Sequence, residues 1–249
     1  MNWPLVGVLA VAGLVVGRGL RAVVFVCAVP AGEPLRRVCP SCGHMLLPPR
    51  NGLRGLAVTA SGHCSACRAR TGPPPLVPEL ITAIIFGALA AWVHPGLVLA
   101  AACWLAACGV ALAWIDAATA RLPDALTGPA YTGTALLLVL AAATSGHWSA
   151  LVRALLGGVA LAAAYLALVV VSRSALGLGD VKLAASLGTL SAWLGWPTLI
   201  AGVFAGFLLG AIYGVGLLAS RRARLGQRIP FGPFMIAGTF LAVLASATR

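Results

Sequence analysis

Asp116 in "LAWIDAATARLPDALT" and Asp180 in "GLGDVKL" are two of only five acidic residues, with Glu33, Glu79 and Asp124, in a 249-residue chain that is 61% hydrophobic. A carboxylate at membrane depth is costly, so it ordinarily faces a protein-lined or watery cavity and has a task there. Two carboxylates brought together near a water can share a proton. One then acts as general base on the water while the other protonates a scissile carbonyl or a leaving amine. Gly177 and Gly179 would let the backbone, and an extended substrate peptide, come close to Asp180. Each aspartate also has a plainer reading. Asp180 suits a helix N-cap, and Asp124, after Pro123, suits a first helical turn. Asp116 falls at a helix C-terminus, where the dipole disfavours a negative charge, so it is the hardest to explain as structure.

A second chemistry is written in the cysteines. Cys39-Pro-Ser-Cys42 and Cys64-Ser-Ala-Cys67 form two Cys-x-x-Cys knuckles with residues 43–63 between them, close to the spacing of a four-cysteine zinc ribbon. Two knuckles complete a thiolate tetrahedron that could hold together a segment too small to fold on its own core. Two disulfides are the alternative, and a reducing cytoplasmic setting favours the metal. His44 and His63 adjoin the knuckles and are expected to face solvent or the outer side of the site. Cys27, Cys103 and Cys108 fall in apolar runs as small fillers.

The elements that must position these groups are membrane helices. Apolar runs at 3–29, 79–93, 97–115, 125–143, 151–171, 182–195, 197–219 and 230–247 predict an all-α polytopic protein of about eight spans, each needing about 20 apolar residues. The run at 182–195 is short for a full crossing and is expected to be tilted or buried by its neighbours. Arg18 and Arg21 interrupt the first run and are expected to snorkel toward an interface. Residues 1–29 thus form a first helix, 30–78 a cysteine domain and 79–249 a membrane core. The first run reads as an anchor without a cleavage site.

A net charge of +12 could suggest nucleic acid, but the basic residues sit in short loops beside the spans and not in one stripe. With the amino terminus outside, the inner loops carry Arg36, Arg37, Arg50, Arg54, Arg68, Arg70, Arg121, Arg173, Arg221, Arg222, Arg224 and Arg228. The outer loops hold essentially Arg153, with Arg249 at the terminus, so the charge bias places all three aspartates and the cysteines on the cytoplasmic side. A proton-coupled transporter with an aspartate relay is the alternative. No inverted repeat supports it, and the aspartates lie near one face.

Taken in order, the paired knuckles, "PLVPEL", "DAATARLPDALT", "GLGDVKL" and "IPFGPFMIAG" resemble the type IV prepilin peptidases, a family of bifunctional membrane enzymes. The resemblance implies an aspartic endopeptidase of the Gly-x-Gly-Asp membrane type in a bacterial inner membrane. Asp116 and Asp180 would be its catalytic pair, with Asp124, Lys182, Gly177 and Gly179 in support. It further implies prepilin-like substrates with basic leaders and a hydrophobic helix, cut at the cytoplasmic face. An accompanying S-adenosylmethionine-dependent methylation of the new amino terminus is implied as well. Near the part implicated in methyl transfer the chain departs from the family, reading "GRGLRAVVF" and "PPPLVPE". Glu79 is then either part of a cofactor site or a first-turn glutamate stabilising its own helix.

Overall fold

The computed structural model describes residues 2–30, 33–46, 62–172, 177–220 and 230–246. Among them are eight helices: α1 (Trp3–Cys27), α2 (Val77–Trp92), α3 (Leu97–Thr119), α4 (Asp124–Ser145), α5 (Trp148–Ser172), α6 (Leu178–Leu194), α7 (Trp196–Ala219) and α8 (Gly232–Ser246). The all-α expectation holds. Five of them, α1, α3, α4, α5 and α7, are long and apolar enough to cross a bilayer, whereas α2 and α8 are shorter apolar helices. Proline fixes several starts, standing in the first turns of α1, α2 and α7, where its missing N–H costs nothing. Gly96 and Gly195 stand at the turns into α3 and α7 with φ of +142° and +146°, backbone that side-chain-bearing residues rarely adopt.

Helix pairs are built on small residues, as expected where apolar lipid gives no hydrophobic drive to associate. In α1, Gly13 and Gly17 lie directly on the α2 backbone: a Cβ at Gly17 would come within 2.5 Å of the Glu79 Cα. Gly157 and Gly158 of α5 meet Gly188 and Thr189 of α6, and Gly202 and Gly206 of α7 meet Gly238 of α8. Between these pairs, α3 is apolar on all sides and deeply buried, with Leu105, Leu112 and Ile115 fully enclosed, the pattern of an interior helix. The outward faces of α5 and α7 remain open, including Val159, Ile200 and Phe204.

Three expectations are corrected. Helix α6 begins at Leu178 and not near 182, because Gly177 starts it and the polar Asp180 and Lys182 lie inside its first turns. Helix α3 runs to Thr119, ending at Ala120 in the left-handed region, so Asp116 sits one turn inside it. Arg21 does not snorkel; it is buried on α1. Of the expected cysteine domain, residues 31–32 and 47–61 lie outside the described residues, and so do Arg173, the arginines within 221–229 and Arg249.

Candidate active site and metal centre

Short connections make successive helices alternate in direction, so the end of α3 and the starts of α4, α6 and α8 gather at one end of the bundle. Contacts tie them there. Gly179, beside the start of α6, packs on Leu122 in the α3–α4 turn: a Cβ at Gly179 would lie 2.8 Å from the Leu122 Cβ. The glycine is needed for this close approach and not for an unusual backbone angle.

Asp116 is 5% exposed, and its Oδ2 accepts a hydrogen bond from the Gly232 N–H at 2.9 Å. Gly232 is the first residue of α8, so the helix start aims a backbone donor at the carboxylate. A Cβ at Gly232 would lie 2.8 Å from that same oxygen. Asp180 is 8% exposed. It is the third residue of α6 and not its N-cap, and its Oδ2 accepts from the Gly177 N–H at 2.8 Å, while the Asp180 N–H donates to the Gly177 carbonyl at 3.0 Å. Two buried carboxylates, 64 positions apart in the chain (180 − 116), are thus each pinned through Oδ2 by a backbone amide, on helices whose ends α4 and α8 hold.

Asp124 stands apart from this pair. As first residue of α4 it accepts from Lys182 Nζ at 2.6 Å, with both side chains open to solvent, so the bridge joins α4 to α6 with little intrinsic energy. Gly232 and the aromatic group beside it were missed as functional candidates. Tyr165 of α5, Phe207 of α7 and Phe231 before α8 have ring centroids 5.1 to 6.4 Å apart. The signal for Gly232 was its place in the Pro-rich "IPFGPF" stretch before an apolar run.

Glu79, in the first turn of α2, is brought to Arg21 of α1: Arg21 Nη1 donates to Glu79 Oε1 at 3.0 Å, with both side chains almost wholly buried. Around them Arg21 Nε and Nη2, Glu79 Oε2 and the Thr71 hydroxyl are buried without a hydrogen-bond partner among the described residues. Orphaned buried donors and acceptors of this kind call for an occupant.

Cys39, Cys42, Cys64 and Cys67 form one cluster, with all four sulfurs within 4.8 Å of each other. Cys39 and Cys67 are 3.7 Å apart, as are Cys42 and Cys64. A tetrahedron of thiolates at about 2.3 Å from a metal has sulfurs about 3.8 Å apart, whereas a disulfide needs about 2.05 Å. The two knuckles repeat one geometry. Cys39 N–H donates to the His44 carbonyl and Gly43 N–H to the Cys39 carbonyl; Cys64 N–H donates to Ala69 and Arg68 N–H to Cys64. Backbone N–H groups aimed at sulfur, that of Ser41 first, hold the Cys39 thiol down to about 6. The Cys67 amide lowers Cys64 in the same way. Against the His44 amide, the Cys67 sulfur pushes the Cys42 thiol up to about 12, so the cluster keeps protons that a metal would displace on binding the sulfurs as thiolates; by their geometry the four residues could hold one.

The same chain is similar to known proteins over most of its length. A family model described as the type IV leader peptidase family matches residues 99–215. A protein of Aeromonas salmonicida (strain A449) named "Prepilin leader peptidase/N-methyltransferase" is 33% identical over 214 residues, covering 84% of this chain and 71% of that protein. Proteins of the same name from Pseudomonas aeruginosa and Burkholderia pseudomallei (strain 1026b) are 35% and 36% identical. They cover 83% and 82% of this chain and 70% and 65% of their own lengths. No solved structure matches at a significant level.

Proposed function

Because the chain belongs to the type IV leader peptidase family, we propose that it is a membrane-embedded aspartic endopeptidase. Its substrates are prepilin-like proteins, from which it removes a basic leader at the cytoplasmic face of a bacterial inner membrane. The observation that carries this reading is the pair of buried, backbone-anchored carboxylates at Asp116 and Asp180. Their Oδ2 atoms are engaged, so Oδ1 of each is the oxygen available to a water and a peptide. With one shared proton, the ionised carboxylate takes a proton from the water as its oxygen attacks the scissile carbonyl carbon. The protonated carboxylate gives its proton to the carbonyl oxygen. Collapse of the tetrahedral species breaks the C–N bond: the carboxyl group that took the water's proton gives it to the departing nitrogen, which leaves as an amine, while a hydroxyl of the gem-diol returns its proton to the other carboxylate. Asp124, Lys182, Gly177 and Gly179 hold the frame: the first two bridge α4 to α6, and the glycines set Asp180 against its neighbours.

The division into a first helix (1–29), a cytoplasmic four-cysteine domain (30–78) and a peptidase core (79–249) belongs to this reading. So does an amino terminus outside the cell, supported by the arginine-rich loops on the side of the aspartates. The metal is Zn2+ in a structural role: four thiolates with no open position suit a closed site. The relatives' names add an N-methyltransferase. Arg21, Thr71 and Glu79, whose remaining buried polar atoms have no partner among the described residues, would hold the amino-acid end of S-adenosylmethionine, Arg21 through its carboxylate and Glu79 through its ammonium group. When bound, that cofactor would supply an electrophilic methyl group, and Arg21 and Glu79 would orient it.

The test is cleavage of a prepilin-like substrate by membranes carrying the chain. Asp116→Asn and Asp180→Asn are expected to lose about 100- to 10,000-fold in rate, the worth of a positioned acid or base, and Asp124→Asn to retain partial activity. Full activity in either of the first two removes the mechanism. Mass spectrometry of the cut product reads the second activity, and an unmodified amino terminus after incubation with S-adenosylmethionine rejects it.

A further inference from the structure

The start of α8 turns on Phe231. Its carbonyl accepts the N–H groups of Phe234 and Met235 at 3.1 and 3.2 Å, and Pro233 has no N–H to offer. The Gly232 N–H, one of the donors that a helix start leaves free, is the one that reaches Asp116 Oδ2, at 2.9 Å. Where that donor points is therefore decided by how Phe231 is held.

Two other helices hold its ring. It lies 5.1 Å from the Phe207 ring of α7 and 6.4 Å from the Tyr165 ring of α5, and those two are 6.0 Å apart, a closed triangle within the range of favourable aromatic contact. Gly202, Gly206 and Gly210 recur at every fourth position on one face of α7. The first two seat the α8 backbone, and the third receives the ring: a Cβ at Gly210 would lie 2.9 Å from Phe231 Cε2.

Tyr165 extends the connection toward the other aspartate. Gly188 of α6 lies against α5, where its Cβ would be 3.2 Å from the Gly158 Cα. From that crossing Tyr165 lies seven residues further along α5 (165 − 158) and Asp180 eight residues back along α6 (188 − 180), about 10 and 12 Å. The two helices run in opposite directions, so both residues lie toward the same end at nearly the same depth.

We infer that Tyr165, Phe207 and Phe231 are positioning residues. Their rings clamp the start of α8, and through Gly232 the Asp116 carboxylate, to the α5–α6 pair that carries Asp180. The inference rests on the function proposed above and adds the device that sets the spacing of its two carboxylates.

Two readouts on the full chain in phospholipid vesicles test it, with a prepilin-like protein as substrate. Phe231→Leu and Tyr165→Leu keep apolar bulk and lose a ring. They are expected to lower kcat about 10- to 100-fold with KM within about twofold, the mark of a displaced catalytic group. Tyr165→Phe is expected to restore what Tyr165→Leu loses. Phe204→Leu, which removes a lipid-facing ring from α7, is expected to match wild type. Gly210→Ala leaves every ring in place and favours the α7 helix, yet is expected to push the Phe231 ring aside and lower kcat about threefold or more. The second readout needs no cleavage. Hydrogen–deuterium exchange of the Gly232 amide is expected to quicken about tenfold or more in Tyr165→Leu, although the substitution is on another helix. Should the leucine variants not fold, Gly210→Ala carries both readouts.

Wild-type kcat in the variants that displace or remove a ring overturns the clamp, as does an unchanged Gly232 amide. So does a raised KM at unchanged kcat, which would put the rings on the substrate. Failure of Tyr165→Phe to restore activity would assign the phenol hydroxyl instead and also overturns it. A wild type that cleaves nothing, with the amide loosened in Tyr165→Leu, keeps the clamp and sinks the peptidase reading; cleavage by the wild type with the amide unmoved does the reverse.

Discussion

At the scale of single residues, the candidate site depends as much on two glycines as on two aspartates. Gly232 places its N–H on Asp116 Oδ2, and there is no room beside it for a methyl group. Gly232→Ala is therefore expected to keep the fold but displace the carboxylate, lowering kcat about 10- to 100-fold, since misplacement by an ångström costs about that much. Steady-state cleavage kinetics with circular dichroism of the purified variant checks both halves of the statement. The two aspartates were legible in the sequence because acidic residues are so scarce in it; their anchoring was not. The Gly232–Asp116 bond spans 116 positions, and no local pattern announces a partner at that distance. Arg21 carried a misleading local signal. An arginine near the end of an apolar run reads as a snorkelling side chain, and only the approach of α2 turns it into the partner of Glu79.

At the scale of elements, the glycine seam and the cysteine centre together fix the start of the chain. Gly17→Val would drive a branched side chain into the α2 backbone at Glu79. It is expected to destabilise the protein by about 1 to 3 kcal/mol, the usual cost of overpacking, read as a lower midpoint of thermal unfolding in detergent. For the four cysteines, metal analysis of reduced, undenatured protein is expected to find about one equivalent of zinc. Chelation or Cys39→Ser should release it and expose residues 33–46 and 62–76 to protease. Less than half an equivalent in untreated protein would argue for another role. The eight helices were visible as apolar runs separated by Pro and Gly, whose backbone effects are local and strong. The start of α6 was not, since Asp180 and Lys182 dilute its first turns; what holds them is the pairing with Gly177 and with Asp124 of α4.

At the scale of the whole molecule, the close pairs α1–α2, α5–α6 and α7–α8 surround α3 and α4, and the two candidate carboxylates ride on α3 and α6, which touch only sparsely. The spacing of Asp116 and Asp180 is thus set by third parties, α4 and α8, which pack on both. This explains why the site was legible as a list of residues and not as a geometry. The shortness of α2 and α8, 16 and 15 residues, has a further outcome. They span about 24 and 23 Å against a hydrocarbon thickness of about 30 Å, and both show side chains such as Ile84 and Leu241 to lipid. A bilayer that thins to match them would lower the water boundary toward the end of the bundle where α8 begins and Asp116 is held. Hydration of the carboxylates then becomes a property shared with the lipid. Turnover in vesicles of short-chain phosphatidylcholine is expected to exceed that in long-chain vesicles several-fold, and a rate indifferent to acyl-chain length would show that the protein wets its own site.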